Sequence, residues 1–268
     1  MTWVCAVSNV LGSCALFSDI QVTLANGDTS DLIQKAYPLD HSIAAGFAGS
    51  VKIGFALLDS LADFLRLPPG VDPSQMGWDP CFVSRNWGPI ARSVFEAADH
   101  AERRLGAQFL IVAASPNENC GLGPKIYFTR FASPDFKPGI MTRPFKFCSI
   151  GSGATIPVYN DTLRPLFRWQ GHVSSLQADA RGGPHGWARN LNFRISHRLA
   201  NNPRKGISRH IHSIIIGRKL MIVENNDENI YPRDGPRIEI RMPPVAQSYK
   251  QFTALAASSG CDAVGAVC

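Results

Sequence analysis

The chain has 268 residues, enough for one large domain with its own core, and its 45% hydrophobic and 18% charged residues are typical of globular proteins. Its formal net charge is +6, but the basic residues are scattered, and the densest cluster, Arg204-Lys205 to Arg209, is short. Nucleic-acid binding would require a basic stripe with interleaved aromatic residues, so no nucleic-acid partner is expected. No apolar run approaches the roughly 20 residues of a transmembrane helix, so no membrane partner is expected either.

The first half of the chain is predicted to contain mostly strands, followed by two helices. An opening β-hairpin is indicated by the apolar stretches Thr2 to Ser8 and Ser13 to Gln21, which flank a turn. Further strands are predicted at Asp31 to Tyr37 and Ser42 to Phe47. Apolar residues at i, i+3 and i+4 spacing predict a helix from Val51 to Leu65. An irregular insertion is expected over Leu67 to Trp87, and then a second helix from Pro89 to Leu105.

The second half repeats this order of strands followed by helices. Strands are predicted at Gln108 to Ala114, Lys125 to Phe131 and Phe145 to Ile150, helices at Ile156 to Trp169 and His185 to Ala200, and a hairpin at His210 to Ile216 and Lys219 to Val223. Because strands and helices do not alternate singly, a parallel doubly wound sheet is disfavoured. The order favours an α+β fold, a four-layer αββα sandwich of two antiparallel sheets flanked by helix pairs. We expect one domain over residues 2–233 and a peripheral C-terminal extension over 234–268.

The cysteines and histidines suggest neither a disulfide framework nor a metal centre. The seven cysteines are odd in number and include no CxxC pair, which is typical of a reducing compartment, so a cytoplasmic location is expected. No basic residue precedes Lys35, which disfavours an export signal. His210 and His212 lie on one face of the predicted strand, but no further ligand cluster accompanies them, so no metal site is expected.

Thr2, directly behind Met1, is the first candidate for chemistry. Removal of Met1 would leave one residue with both a hydroxyl nucleophile and a free α-amine that can act as its base. An α-amine titrates at about pH 7.7–8.0 in model peptides, so much of it is neutral at physiological pH.

Five short motifs in order resemble the proteasome-type N-terminal nucleophile peptidases, closest to bacterial proteasome-like proteins. They are Thr2 at the start of the first strand, Ser18-Asp-Ile-Gln-Val-Thr-Leu24, Lys35, Ala45-Gly-Phe-Ala-Gly-Ser50 and Ser149-Ile-Gly-Ser-Gly153. The resemblance is good over roughly residues 2–155 and loose beyond them. It implies a threonine endopeptidase that needs no metal or organic cofactor. It further implies homo-oligomeric rings, peptide or unfolded protein as substrate, and a possible AAA+ unfoldase partner.

The resemblance also implies the roles of individual residues. Thr2 would be the nucleophile, Lys35 would lower the pKa values of its hydroxyl and amine, and Asp19 would keep Lys35 charged and oriented. The Gly46 backbone N–H would stabilise the oxyanion, and Ser152 would lie near the Thr2 amine. The family's second aspartate is absent from residues 201–208, where Ser208 is the candidate for the family's serine.

Two other functions are compatible with the same motifs. One is a non-catalytic ring or scaffold subunit of proteasome-like fold, in which Met1 would be retained. The other is an N-terminal nucleophile amidohydrolase for small amides, which would lack a groove for an extended peptide.

Overall fold

The computed structural model describes residues 2–9, 11–40, 42–67, 69–71, 79–142, 147–161, 173–201, 207–217, 220–225, 228–230, 238–258, 260 and 263–268. Its strands are β1 Val4–Ser8, β2 Cys14–Asp19, β3 Gln21–Thr23, β4 Thr29–Asp31, β5 Ala36–Asp40, β6 Ile43–Gly49, β7 Ala107–Cys120, β8 Gly123–Ala132, β9 Gly139–Met141, β10 Phe147–Ile150, β11 Ile211–Gly217, β12 Leu220–Asn225, β13 Glu228–Ile230 and β14 Ile238–Ile240. Its helices are α1 Val51–Leu65, α2 Pro80–Asn86, α3 Gly88–Ala97, α4 His100–Leu105, a 3₁₀ turn at Ser152–Thr155, a helical stretch at 157–161, α5 Val173–Asn201 and α6 Tyr249–Ser258.

Two five-stranded antiparallel sheets form the middle of the molecule. The first sheet has the order β10-β1-β2-β11-β12, and the second has the order β5-β6-β7-β8-β9. The predicted opening hairpin is confirmed, since β1 pairs with β2 from Val4 opposite Ser18 to Ser8 opposite Cys14. The predicted second hairpin is confirmed by the pairing of β11 with β12.

Side-chain alternation divides the interior into three apolar clusters, because successive residues of a strand point to opposite faces. In β1, Cys5 and Val7 join a cluster with α5, whereas Val4 and Ala6 join a cluster between the two sheets. The third cluster lies between the second sheet and helices α1, α2, α3 and α6. These three apolar interfaces separate four layers, which confirms the predicted αββα sandwich.

Helix α1 has the predicted bounds and begins where Ser50 Oγ accepts the Ile53 N–H at 3.1 Å. The single helix predicted from Pro89 to Leu105 is wrong, because the chain is extended at Ala98 and a new helix starts behind Asp99. The Asp99 carboxylate caps that helix by accepting the Glu102 N–H at 2.9 Å. The insertion predicted to be irregular contains α2, which Asp79 caps through the Cys81 N–H.

Other boundaries also differ from the predictions. The strand expected over Asp31 to Tyr37 is interrupted, because the N–H groups of Leu32 and Ile33 donate to the Ile20 carbonyl instead of a strand partner. The last predicted helix is longer than expected and contains a break at Gly183, before Pro184. Residues 162–169 of the helix predicted from Ile156 lie outside the described residues.

The segment from Ala246 onward is part of the fold, contrary to the expectation of a peripheral extension. Phe252 and Ala256 of α6 pack in the helix-side cluster of the second sheet, as do Ala266 and Cys268. Val267 forms bridges with Thr23 and with Ser50. Backbone pairing with distant strands therefore anchors residues whose own side chains are small. The division of the chain at residue 233 stays a prediction, since residues 231–237 lie outside the described part.

Candidate active site

Thr2 is fully buried and is held through both of its backbone groups. Its N–H donates to Ser152 Oγ at 2.9 Å, and its carbonyl accepts the Gly153 N–H at 2.7 Å. Gly151 has φ +83°, and a Cβ there would lie 2.5 Å from the Thr2 carbonyl oxygen. Glycine is therefore required at 151 by both the backbone conformation and the close approach to Thr2.

The side chains of Lys35 and Asp19 form a completely buried ion pair beside Thr2. Lys35 Nζ lies 3.0 and 2.9 Å from the two carboxylate oxygens of Asp19 and 3.3 Å from Thr2 Oγ1. It also donates to the Gln21 carbonyl. An ammonium group has three protons to donate, and it has three partner residues here. Pairing and full hydrogen bonding are the conditions under which a charge can be buried.

Three backbone N–H groups fix the Asp19 carboxylate. Trp3 donates to Oδ1 at 2.8 Å, while Gln21 and Ser208 donate to Oδ2 at 3.1 and 3.4 Å. Since Trp3 is the neighbour of Thr2, the contact with Trp3 links the orientation of Asp19 directly to the start of β1.

A second polar cluster lies behind Asp19 and joins Ser208, Asp31 and His210. Ser208 Oγ donates to Asp31 Oδ2 at 2.7 Å, and His210 Nδ1 lies 2.6 Å from the same oxygen. Burial acts to raise the pKa of Asp31, but hydrogen bonds from His210 and Ser208 outweigh it and the pKa is lowered. Asp31 of β4 therefore supplies the carboxylate that binds Ser208, a partner that the sequence did not indicate.

The other histidine of the pair noted in the sequence, His212, has a separate environment. Its Nδ1 lies 2.8 Å from Asn225 Oδ1, and burial lowers its pKa. His210 and His212 thus contact different partners. Among the described residues, no group of three or more His, Cys, Asp or Glu side chains is arranged to hold a metal ion.

Gly46 and Gly49 differ in where their backbone N–H groups point. The Ala114 N–H donates to the Ser42 carbonyl, so Ser42 and Ala114 form a hydrogen-bonded pair. In an antiparallel ladder every second pair is hydrogen-bonded, which makes Gly46 and Leu110 such a pair as well. The Gly46 N–H therefore points towards Leu110. Gly49, at the end of β6, instead donates its N–H to the Cys268 carbonyl at 2.8 Å. Gly49 has φ +102°, and a Cβ there would lie 2.3 Å from the Gly106 carbonyl oxygen.

The structure thus brings four of the six predicted site residues into direct contact: Thr2, Asp19, Lys35 and Ser152. Ser208 joins them through its N–H bond to Asp19. Gly46 lies within β6, where an added Cβ would come within 2.7 Å of Val4 Cγ1 and 3.2 Å of the Lys35 carbonyl oxygen. Sequence reasoning missed Asp31, His210 and Gly49 as site residues. Gly49 lies one residue before the helix cap Ser50, at a strand-to-helix turn that a sequence can indicate, whereas nothing in the sequence around Asp31 marks that residue.

A cavity of about 360 Å³ adjoins this cluster. Gly49, Gly151 and Ser152 are among the residues that line it. No helix among the described residues is both long and apolar enough to cross a membrane.

The sequence matches no protein-family model and no curated protein. Solved structures of similar fold include Anbu (ancestral beta-subunit) from Yersinia bercovieri, with 9% identity, a TM-score of 0.57, and coverage of 84% of this chain and 87% of that one. They also include eukaryotic HslV from Trypanosoma brucei, with 17% identity, a TM-score of 0.46, and coverage of 80% and 99%. The similarity to Anbu is consistent with the four-layer αββα sandwich described above. The chain has the fold of the N-terminal nucleophile hydrolases.

Proposed function

We propose that this protein is a threonine endopeptidase in which Thr2 is the nucleophile, which requires the removal of Met1. The observation that carries the proposal is the contact of a buried, Asp19-paired Lys35 with the Thr2 hydroxyl, at 3.3 Å. A fully buried charge is costly to maintain, and its placement beside a hydroxyl at the start of the chain suits an N-terminal nucleophile.

In the proposed reaction, Thr2 Oγ1 attacks the carbonyl carbon of a peptide bond and its proton passes to the free α-amine of Thr2. The ammonium of Lys35 stabilises the negative charge that develops on the attacking oxygen. The α-ammonium then gives its proton to the leaving amine, and an ester between Thr2 and the acyl half of the substrate remains. Water, deprotonated by the same amine, hydrolyses the ester and regenerates the hydroxyl.

We assign the oxyanion donor to Gly49 in place of Gly46. The Gly49 N–H already donates to a carbonyl oxygen, whereas the strand register directs the Gly46 N–H to Leu110. Ser152, as partner of the Thr2 nitrogen, would orient the amine and a hydrolytic water. Ser208 and Asp31 would hold Asp19 through the Ser208 N–H.

The remaining parts of the proposal follow from the resemblance to proteasome-type proteins and from the fold. They are a peptide or unfolded-protein substrate, assembly into a homo-oligomeric ring, a possible AAA+ unfoldase partner and a cytoplasmic location. The chemistry itself uses only Thr2 and its neighbours and requires neither a metal nor an organic cofactor.

The decisive experiment combines intact-mass analysis with a peptide epoxyketone, a reagent that bonds to both the hydroxyl and the amine of an N-terminal threonine. The purified protein should lack Met1 and gain one inhibitor mass per chain. Thr2→Ser should retain labelling, and Thr2→Ala should lose it together with peptidase activity. Retention of Met1 would instead favour the non-catalytic subunit, and hydrolysis of small amides without peptide labelling would favour the amidohydrolase.

A further inference from the structure

Residues Ala266–Cys268 form a short extended segment that is paired on both of its edges. On one side, Val267 and Thr23 exchange two backbone hydrogen bonds of 2.9 Å each. On the other side, Cys268 and Gly49 exchange two bonds of 2.8 Å, and the Val51 N–H donates to the Ala266 carbonyl at 3.2 Å. Three residues thus fill a slot between β3 and the end of β6, which is how an added β-strand binds.

The slot leads to the proposed catalytic residues. Thr23 ends β3, whose first residue, Gln21, accepts a hydrogen bond from Lys35. The Cys268 side chain is buried, and this burial raises the pKa of its thiol to about 12. The charge of Lys35 acts to lower this pKa, and the charge of Asp19 acts to raise it. Val267 and Cys268 also line the 360 Å³ cavity beside Ser152.

An extended peptide entering this slot would need the same backbone groups. The donors and acceptors of Thr23 and Gly49 are already used by residues 267 and 268, and the Val51 N–H is used by residue 266. In particular, the Gly49 N–H that we assign to the oxyanion is bonded to the Cys268 carbonyl. A substrate strand and residues 266–268 therefore exclude each other.

We propose that residues 266–268 occupy the peptide-binding groove of their own chain, so that extended peptides bind only after this segment leaves. The inference rests on the proposed function, because it takes the groove beside Thr2 to be the substrate groove. As part of the same chain, the segment is present at a high effective concentration and competes strongly with free peptide. It is held at its start by Gly265, whose N–H donates to the buried Glu102 carboxylate at 3.1 Å.

The test compares the full chain with two variants that weaken the segment. Deletion of residues 266–268 removes it, and Val267→Pro removes the N–H that donates to Thr23 while leaving the chain length unchanged. Val264→Ala, at a side chain that is 60% exposed and precedes the segment, is the matched control. Circular dichroism and thermal unfolding establish which variants are folded.

The first readout is direct binding of a fluorescent peptide, Gly-Ala-Val-Cys, which copies residues 265–268, under reducing conditions. We expect the deletion and proline variants to bind it at least tenfold more tightly than the full chain and the control. Gly-Ala-Pro-Cys should bind the variants more weakly. Equal affinity for all four proteins, or binding to none of the folded proteins, would overturn the inference.

The second readout is the rate of covalent labelling by a peptide epoxyketone. Labelling should be at least tenfold faster in the folded variants than in the full chain, and unchanged in Val264→Ala. Equal labelling rates would refute self-occupancy while leaving the proposed function intact. Peptide binding to the variants without labelling of any protein would support self-occupancy of the groove and refute the nucleophile instead.

Discussion

Replacing Asp19 with asparagine is expected to destabilise the folded protein strongly, because it leaves the Lys35 ammonium buried without a counter-charge. Both side chains have no solvent exposure, and Lys35 Nζ lies within 3.0 Å of both carboxylate oxygens. Removing one partner of a buried ion pair typically costs about 3–5 kcal/mol. Since small domains are stable by only about 5–15 kcal/mol, this loss is a large share of the total.

The magnitude can be measured by urea unfolding followed by the fluorescence of the tryptophans. With a slope of about 3 kcal/mol per M, the loss corresponds to a midpoint lowered by about 1–2 M. The double variant Asp19→Asn/Lys35→Met should be more stable than Asp19→Asn by about 2 kcal/mol, because it also removes the unpaired charge. A cost below about 1 kcal/mol for Asp19→Asn, or a double variant less stable than either single one, would refute the reasoning.

Three further predictions concern the surroundings of the site. Trp3→Ala should cost about 3–5 kcal/mol in urea unfolding, because the indole is 2% exposed and stacks on Tyr159 at 5.0 Å; a loss below about 1 kcal/mol would contradict this. Gly151→Ala should lower the Tm more than Gly27→Ala, since both glycines have positive φ but only Gly151 has backbone atoms within 3.0 Å of a new Cβ. The lowered pKa of Asp31 adds stability above about pH 4, and this stability is lost as pH falls through the folded-state pKa. Asp31→Asn should therefore reduce the fall of the urea midpoint with decreasing pH below about pH 4. The same fall in the variant as in the unchanged protein would count against this.

Local patterns were sufficient for the elements whose residues alternate or repeat regularly. The hairpin of β1 and β2 and the bounds of α1 follow from apolar spacing that depends on one strand or one helix alone. The break between α3 and α4 could not be predicted in this way, because Ala98 and Asp99 are compatible with a continuing helix. The break is set by the Asp99 cap, which competes with helical hydrogen bonding.

The residues of the candidate site could be predicted where they belong to motifs that occur in a fixed order along the chain. Thr2, Asp19, Lys35 and Ser152 were identified from ordered motifs, and they meet in the structure. The partnership of Asp31 with Ser208 joins residues 177 positions apart, and it depends on how β4 lies against the turn before β11. The proposed assignment of the oxyanion donor to Gly49 rather than Gly46 depends on which N–H groups of β6 are bonded within the sheet. A sequence does not reveal this, because a shift of one residue in the pairing reverses it.

The weakly apolar residues 263–268 illustrate the same limit. Nothing in their composition predicts a fixed position, because their order comes from backbone groups of Thr23, Gly49 and Val51. Hydrophobic periodicity does not detect such backbone contacts, because it depends only on the side chains.

The buried carboxylate of Glu102 has a consequence for communication across the molecule. One of its oxygens accepts the Gly265 N–H, and the other accepts the hydroxyl of Ser50, which caps α1. The residue that begins the C-terminal segment and the cap of helix α1 are therefore both bonded to the Glu102 carboxylate. Under the proposed self-occupancy, a ligand of the helix layer that weakened the bond between Glu102 and Gly265 would ease the departure of residues 266–268. By thermodynamic reciprocity, peptide entry would then change the affinity for that ligand by the same factor.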